Sequence, residues 1–180
     1  MNSIRLVGIF AMFIAASTVF MTNDASAQQK YTYTISRAPS STKYLQQHAI
    51  DVDDVSGHQV RVYEIHYDYP NNELVFAGVS VKESLSRGMS DYVNSSGPFT
   101  AYNVYTLEDG NKVYSRSTGT SLLTIGADGN RVVRFSGAEN FVGGTGKFKG
   151  IHGQAIVSGE RAIVAKSLTQ QSTGEYWIEE

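Results

Sequence analysis

The sequence has no cysteine among its 180 residues. That absence excludes disulfides, a thiolate nucleophile, a thiolate metal site and a lipid anchored through sulfur. Stability must come from apolar burial and hydrogen bonding. Basic runs are missing too: 15 Lys and Arg face 17 Asp and Glu, for a formal net charge of −2. Such a pattern leaves no footprint for a nucleic acid. Leucine is scarce, with 7 in the residues after Ala27. No long stretch repeats at helical spacing.

Apolar runs of the roughly 20 residues that a membrane helix needs are also lacking. The longest, Leu6 to Met21, has 16 residues. Arg5 precedes it and Ala25-Ser26-Ala27 follows it. This order of charged, apolar and small-residue segments predicts a signal peptide over residues 1–27, cut after Ala27. The expected product is a secreted or periplasmic chain of 153 residues with no membrane-spanning helix. That length suits one domain with a substantial core.

What is present is strand material. Val, Ile, Thr, Tyr, Phe and Trp supply 51 of those 153 residues, the types that fit a pleated, half-buried surface. Turn signals recur at Pro70-Asn71-Asn72, Ser95-Ser96-Gly97-Pro98, Asp109-Gly110 and Asp128-Gly129. The two Asp-Gly pairs predict tight type I′ hairpins. Strands are expected near 44–53, 59–69, 74–85, 98–107, 112–123, 131–136, 138–142, 154–158 and 162–168. The stretch Arg161 to Gln171 reads as a strand or a short helix. Residues 28–43 read as a flexible arm with a strand at Tyr31–Ile35, and residues 44–180 as a single all-β domain. Many short strands with close turns predict a sandwich or a closed antiparallel barrel.

The most informative segment runs from Phe141 to Gln154. It holds Gly143, Gly144, Gly146, Gly150 and Gly153, with Phe148 as the large apolar residue among them. A phosphate loop is excluded, because Phe148 stands where Ser or Thr is required after Gly146-Lys147. A dinucleotide fingerprint fails because no helix opens there. No Gly-x-Ser-x-Gly elbow exists for a serine hydrolase. Glu64-x-His66 offers two metal-ligand types, but a full ligand set is missing, so neither a metal nor another cofactor is expected.

The Gly-Gly-Thr-Gly-Lys-Phe segment at 143–148 resembles a motif of allene oxide cyclases and plant dirigent proteins. The strand Val62-Tyr63-Glu64-Ile65-His66 resembles one found in the cyclases. The resemblance covers about residues 44–158. It implies an eight-stranded antiparallel β-barrel with a mostly apolar cavity, often assembled as a homo-trimer. It also implies a small hydrophobic guest, fatty-acid-derived or phenolic. The activity would be a cofactor-independent cyclase or isomerase reaction, or stereochemical steering of the guest. The glycines and Phe148 would form a structural turn.

Strand 59–69 has two faces. Pattern alone favours burial of Arg61, Tyr63, Ile65, Tyr67 and Tyr69. The resemblance instead points Val62, Glu64 and His66 into the cavity. Glu64 would then be the catalytic carboxylate, with a salt bridge or a solvent face as its bland alternative. His66 and Val62 would touch the guest. Tyr102, Asn103, Tyr105, Tyr114, Arg116 and Phe135 lie on strands expected to pass the cavity and are further ligand-binding candidates. Two other readings compete: a non-catalytic binding or structural barrel with a filled interior, and an eight-stranded outer-membrane barrel. The last is disfavoured because the chain ends Ile178-Glu179-Glu180 rather than on an aromatic residue.

Overall fold

A computed structural model describes residues 30–37, 42–71, 73–127, 129–163 and 167–179. The expected signal peptide and cleavage site lie outside the described residues. The strands are β1 (Tyr31–Arg37), β2 (Thr42–Asp51), β3 (His58–Asp68), β4 (Val75–Phe76), β5 (Val79–Val93), β6 (Gly97–Leu107), β7 (Lys112–Ile125), β8 (Arg131–Gly144), β9 (Ile151–Ala162) and β10 (Ser167–Ile178). They form one antiparallel 10-stranded sheet in the order β1-β10-β9-β8-β7-β6-β5-β3-β2, with the short β4 on β5. The closed eight-stranded barrel is not what this pairing shows: β1 and β2 are the two ends of the order.

The sheet nevertheless curls strongly. The guanidinium of Arg161 on β9 lies 5.5 Å from the Tyr44 ring on β2, across the gap between the two ends. Stepping from Thr34 through register partners gives Thr173, Ile156, Ala138, Thr118, Thr100, Met89 and Val62, and finally His48. The path therefore leads from β1 to β2, the two ends of the strand order.

One end of the curl is packed shut. Phe76, Val81, Val113, Phe148 and Ile151 are fully buried there, with Ile35, Leu74, Tyr105, Leu107, Phe141 and Tyr176 around them. Phe76 is the hub of the aromatic part, with ring centroids of Tyr176, Phe141 and Tyr105 at 5.1, 5.4 and 5.7 Å. The glycine segment closes this end. It ends β8, makes a 3-10 turn at Gly146–Phe148 and drives the Phe148 ring into the core. Gly146 has φ +54 and sits against the Asn111 side chain, so a Cβ there is strained by conformation and must displace the Asn111 amide.

Several sequence expectations are corrected. The strand expected at Tyr31–Ile35 runs on to Arg37 as β1, pairs antiparallel with β10 and buries Ile35. The ambiguous stretch 161–171 contributes to two strands, β9 and β10, and β10 extends to Ile178, beyond the expected end at 168. β8 is one strand rather than two, because its pairing with β9 continues unbroken through Gly137. At Asp109-Gly110 only Gly110 has positive φ. The Gly110 N–H donates to the Leu107 carbonyl and the Leu107 N–H to the Asn111 carbonyl. That pattern is a three-residue loop with a glycine bulge, which fits the flanking twist without two left-handed residues. The two-residue turn with both φ positive occurs at Asn94-Ser95 instead. Of the second Asp-Gly pair, Asp128 lies outside the described residues.

Candidate functional site

The other end of the curl is hollow, and the sequence explains why. Inward positions there carry Ser86, Ser90, Ala101, Ser117, Ser121 and Gly137 instead of the large residues that fill the closed end. The space they leave is a cavity of about 200 Å³. An engineered apolar cavity of about 150 Å³ holds benzene, so there is room for one ring with a short substituent.

Large aromatic residues that line the cavity reach over glycines. Tyr63, Phe99 and Phe135 are the register partners of Gly88, Gly119 and Gly159. A Cβ on Gly88 would lie 2.5 Å from the Tyr63 hydroxyl, and one on Gly119 would lie 2.6 Å from the Phe99 ring. Each glycine thus leaves room for a neighbouring ring against the wall. Val133, Val157, Ile65 and Leu168 add apolar surface.

The charged groups of the lining are few and placed at two levels. Deep in the cavity, Glu139 on β8 is 2 % exposed. Its Oε1 accepts hydrogen bonds from the Tyr105 hydroxyl at 2.5 Å, the Asn103 amide at 3.2 Å and the Ser115 hydroxyl. The Asn103 amide also reaches Ser115 Oγ at 2.9 Å and Ser117 Oγ at 2.8 Å. Among the described residues, each hydrogen bond to Glu139 falls on Oε1, and no cationic side chain pairs with it. At the mouth stand Tyr44, Gln47, Arg61, Tyr92 and Arg161. Burial pushes the Tyr63 phenol far above its ordinary range, and the nearby phenols of Tyr92, Tyr67 and Tyr44 add to the effect. Burial lifts Tyr92 as well, although its hydroxyl shares a hydrogen bond with Ser121 at 2.9 Å. These phenols therefore stay neutral and act as hydrogen-bonding walls, not as bases.

The sequence candidates divide by strand parity. Asn103, Tyr105 and Phe135 line the cavity. Glu64, His66 and Val62 do not; they lie on the outer face of β3, opposite to the expectation from the resemblance. The Arg87 Nε donates to Glu64 Oε2 at 2.6 Å, across a register pair. His66 pairs with Glu83 at 3.0 Å, and Val62 is 53 % exposed. The physical reason is that the aromatic face of β3 buries more apolar area, so Tyr63, Ile65 and Tyr67 turn inward. Tyr102, Tyr114 and Arg116 alternate with inward Asn103 and Ser115 and so also lie outside. There the Arg116 guanidinium stacks 5.0 Å from the Tyr102 ring centroid. Glu139 was missed by sequence reasoning. Its signal was a charged residue on the inward parity of a strand, between Gly137 and Phe141.

Near the mouth, His58 ties two hairpins together. Its Nδ1 lies 2.5 Å from Asp54 Oδ1 and its Nε2 2.6 Å from Asp91 Oδ1. Two carboxylates on one imidazole require both ring nitrogens to donate, which favours the imidazolium. The hydrogen bond to Asp91, then that to Asp54, raises the His58 pKa above its ordinary 6.5. A raised histidine pKa contributes stability that is fully present below about pH 6.5 and is lost as pH rises through the folded value. The melting temperature should therefore fall as pH rises above about 6.5, and His58→Gln should flatten that fall. Parallel thermal scans of both proteins across that range check it; equal slopes refute it. Among the described residues, no group of three His, Asp or Glu is arranged to hold a metal ion.

Comparison with protein-family models, curated proteins and solved structures gives no match to this chain.

Proposed function

We propose that this protein is an exported binding barrel that holds one small hydrophobic molecule in the cavity between β3, β5, β6, β7, β8 and β9. The observation that carries the reading is the cavity itself: about 200 Å³, walled by aromatic rings, with the buried carboxyl of Glu139 in its lining. Apolar walls with a few convergent polar groups are the usual form of a small-molecule site. The closed-barrel part of the reading rests on the register circuit from Thr34 to His48. Successive stretches of one chain segment, β1 and β2, would supply the eighth stave between β10 and β3. Any reaction in the allene oxide cyclase manner would have to run through Glu139, since Glu64 pairs with Arg87 on the outer wall.

The filled, purely structural barrel is disfavoured by the hollow end, where inward serines and glycines replace bulk. The outer-membrane barrel is disfavoured by the outer wall. Glu64–Arg87 and Arg134–Glu160 stand on it as ion pairs, where a lipid-facing band is apolar.

Filling the cavity tests the proposal. Ala101 is buried and lines the space. Ala101→Leu should abolish binding of small aromatic hydrocarbons while the protein still unfolds cooperatively, with a stability change within about 3 kcal/mol. Calorimetric titration with ethylbenzene checks it. Unchanged binding in a folded variant would move the site elsewhere.

A further inference from the structure

The two polar levels of the cavity specify more than a greasy guest. Glu139 Oε1 already receives Tyr105, Asn103 and Ser115, whereas Oε2 makes no hydrogen bond to any described residue. A carboxylate held by three donors on one oxygen is a fixed acceptor, with its second oxygen open to a guest. Among the described residues of the lining there is no other carboxylate. At the mouth, the Arg61 Nε and Nη2 both donate to Gln59 Oε1, at 3.0 and 2.6 Å. Arg161 faces the Tyr44 ring. Neither guanidinium forms an ion pair with a described carboxylate. The cavity thus carries the Glu139 carboxyl deep inside, aromatic rings with small serines between them in the middle, and two guanidinium groups at its mouth.

We infer that the guest is a two-ended small acid: an apolar body, one ring or a short chain, with an O–H or N–H donor at one end and an anionic group at the other. The donor meets Glu139 Oε2. The body lies between Tyr63, Phe99 and Phe135. The anionic end stays at the mouth with Arg61 and Arg161, where guanidinium forks suit a carboxylate. Both ends are needed for orientation. A guest inserted backwards would place its carboxylate beside Glu139, and like charges in a poorly hydrated site repel strongly. This inference rests on the binding-barrel reading and narrows its guest from hydrophobic to bipolar.

The test uses the full chain and five matched probes in calorimetric titrations. Para-hydroxyphenylpropionate carries both ends. Phenylpropionate keeps only the acid, para-ethylphenol only the donor, and ethylbenzene neither. Para-(aminomethyl)phenylpropionate replaces the hydroxyl with an ammonium and tells the two donor types apart. A two-ended probe should bind at least tenfold more tightly than either one-ended probe. Glu139→Gln should remove most of the advantage of the donor and leave phenylpropionate within about twofold. Arg61→Gln should do the reverse, weakening the acids and sparing para-ethylphenol. The comparison on the unaltered protein stands even if a variant fails to fold. Equal affinity for ethylbenzene and the two-ended probes would overturn this inference while leaving the binding barrel intact. Binding of none of the five probes would sink both.

Discussion

Replacing Phe76 with alanine should destabilise the fold by about 3–5 kcal/mol. The ring is fully buried on a strand of two residues. It touches Tyr33, Tyr105, Phe141 and Tyr176, each at an edge-on or tilted angle that suits aromatic quadrupoles. Removing it leaves a void that four rings anchored on four different strands cannot all move to fill. The next residue adds to the effect, because the Ala77 N–H donates to the Tyr176 hydroxyl at 2.7 Å. Disturbing Phe76 therefore loosens the attachment of β4 to β10 as well. A domain of this size has only about 5–15 kcal/mol in total, so the variant should unfold at much lower denaturant. Chemical unfolding curves check the value. A loss below about 1 kcal/mol would mean that the closed end collapses around the gap, and that its packing is looser than the ring geometry indicates.

Glu139→Ala should act on both stability and binding. Three donors, from Tyr105, Asn103 and Ser115, would lose their shared acceptor in a site where Glu139 is 2 % exposed. Donors left unmatched in a buried position cost about 1–3 kcal/mol in sum, allowing for water that the cavity admits. Affinity for a donor-bearing guest should fall by roughly tenfold or more, the scale of one hydrogen bond to a charged group. Affinity for ethylbenzene should hold or improve, because the cavity grows and loses its charge. Unfolding curves and titrations on one preparation separate the two effects. Unchanged stability together with unchanged binding of para-hydroxyphenylpropionate would show that the network is an incidental feature of the wall.

The same division between ends explains why the glycines carry different meanings. Those of the segment 143–153 shape a turn that plugs the closed end with Phe148. Gly88, Gly119 and Gly159 sit inside strands, where glycine weakens pairing unless something approaches closely. Here three rings approach. Only the first group stands out in the sequence, because it is clustered. The second is spread over three strands and gains meaning only when register pairs it with Tyr63, Phe99 and Phe135.

Read alone, the sequence settles the all-β class and most of the antiparallel hairpins, whereas on β3 its alternation and the resemblance name opposite faces. The class and the hairpins follow from local rules: β-branched and aromatic content, turn residues and period-two alternation. Alternation along β3 favoured the tyrosine face, and burial of Tyr63, Ile65 and Tyr67 agrees with it; the resemblance, which favoured Glu64, does not describe this wall. Only the tertiary structure decided where the hollow lies and which carboxylate it contains. Glu139 and Glu64 are both acidic residues inside strands. They differ in their neighbours, three inward donors in one case and the register partner Arg87 on the outer wall in the other. That difference depends on contacts between strands far apart in the chain. The reach of a local pattern ends there, because a strand records which of its residues share a face but not what the opposite wall supplies.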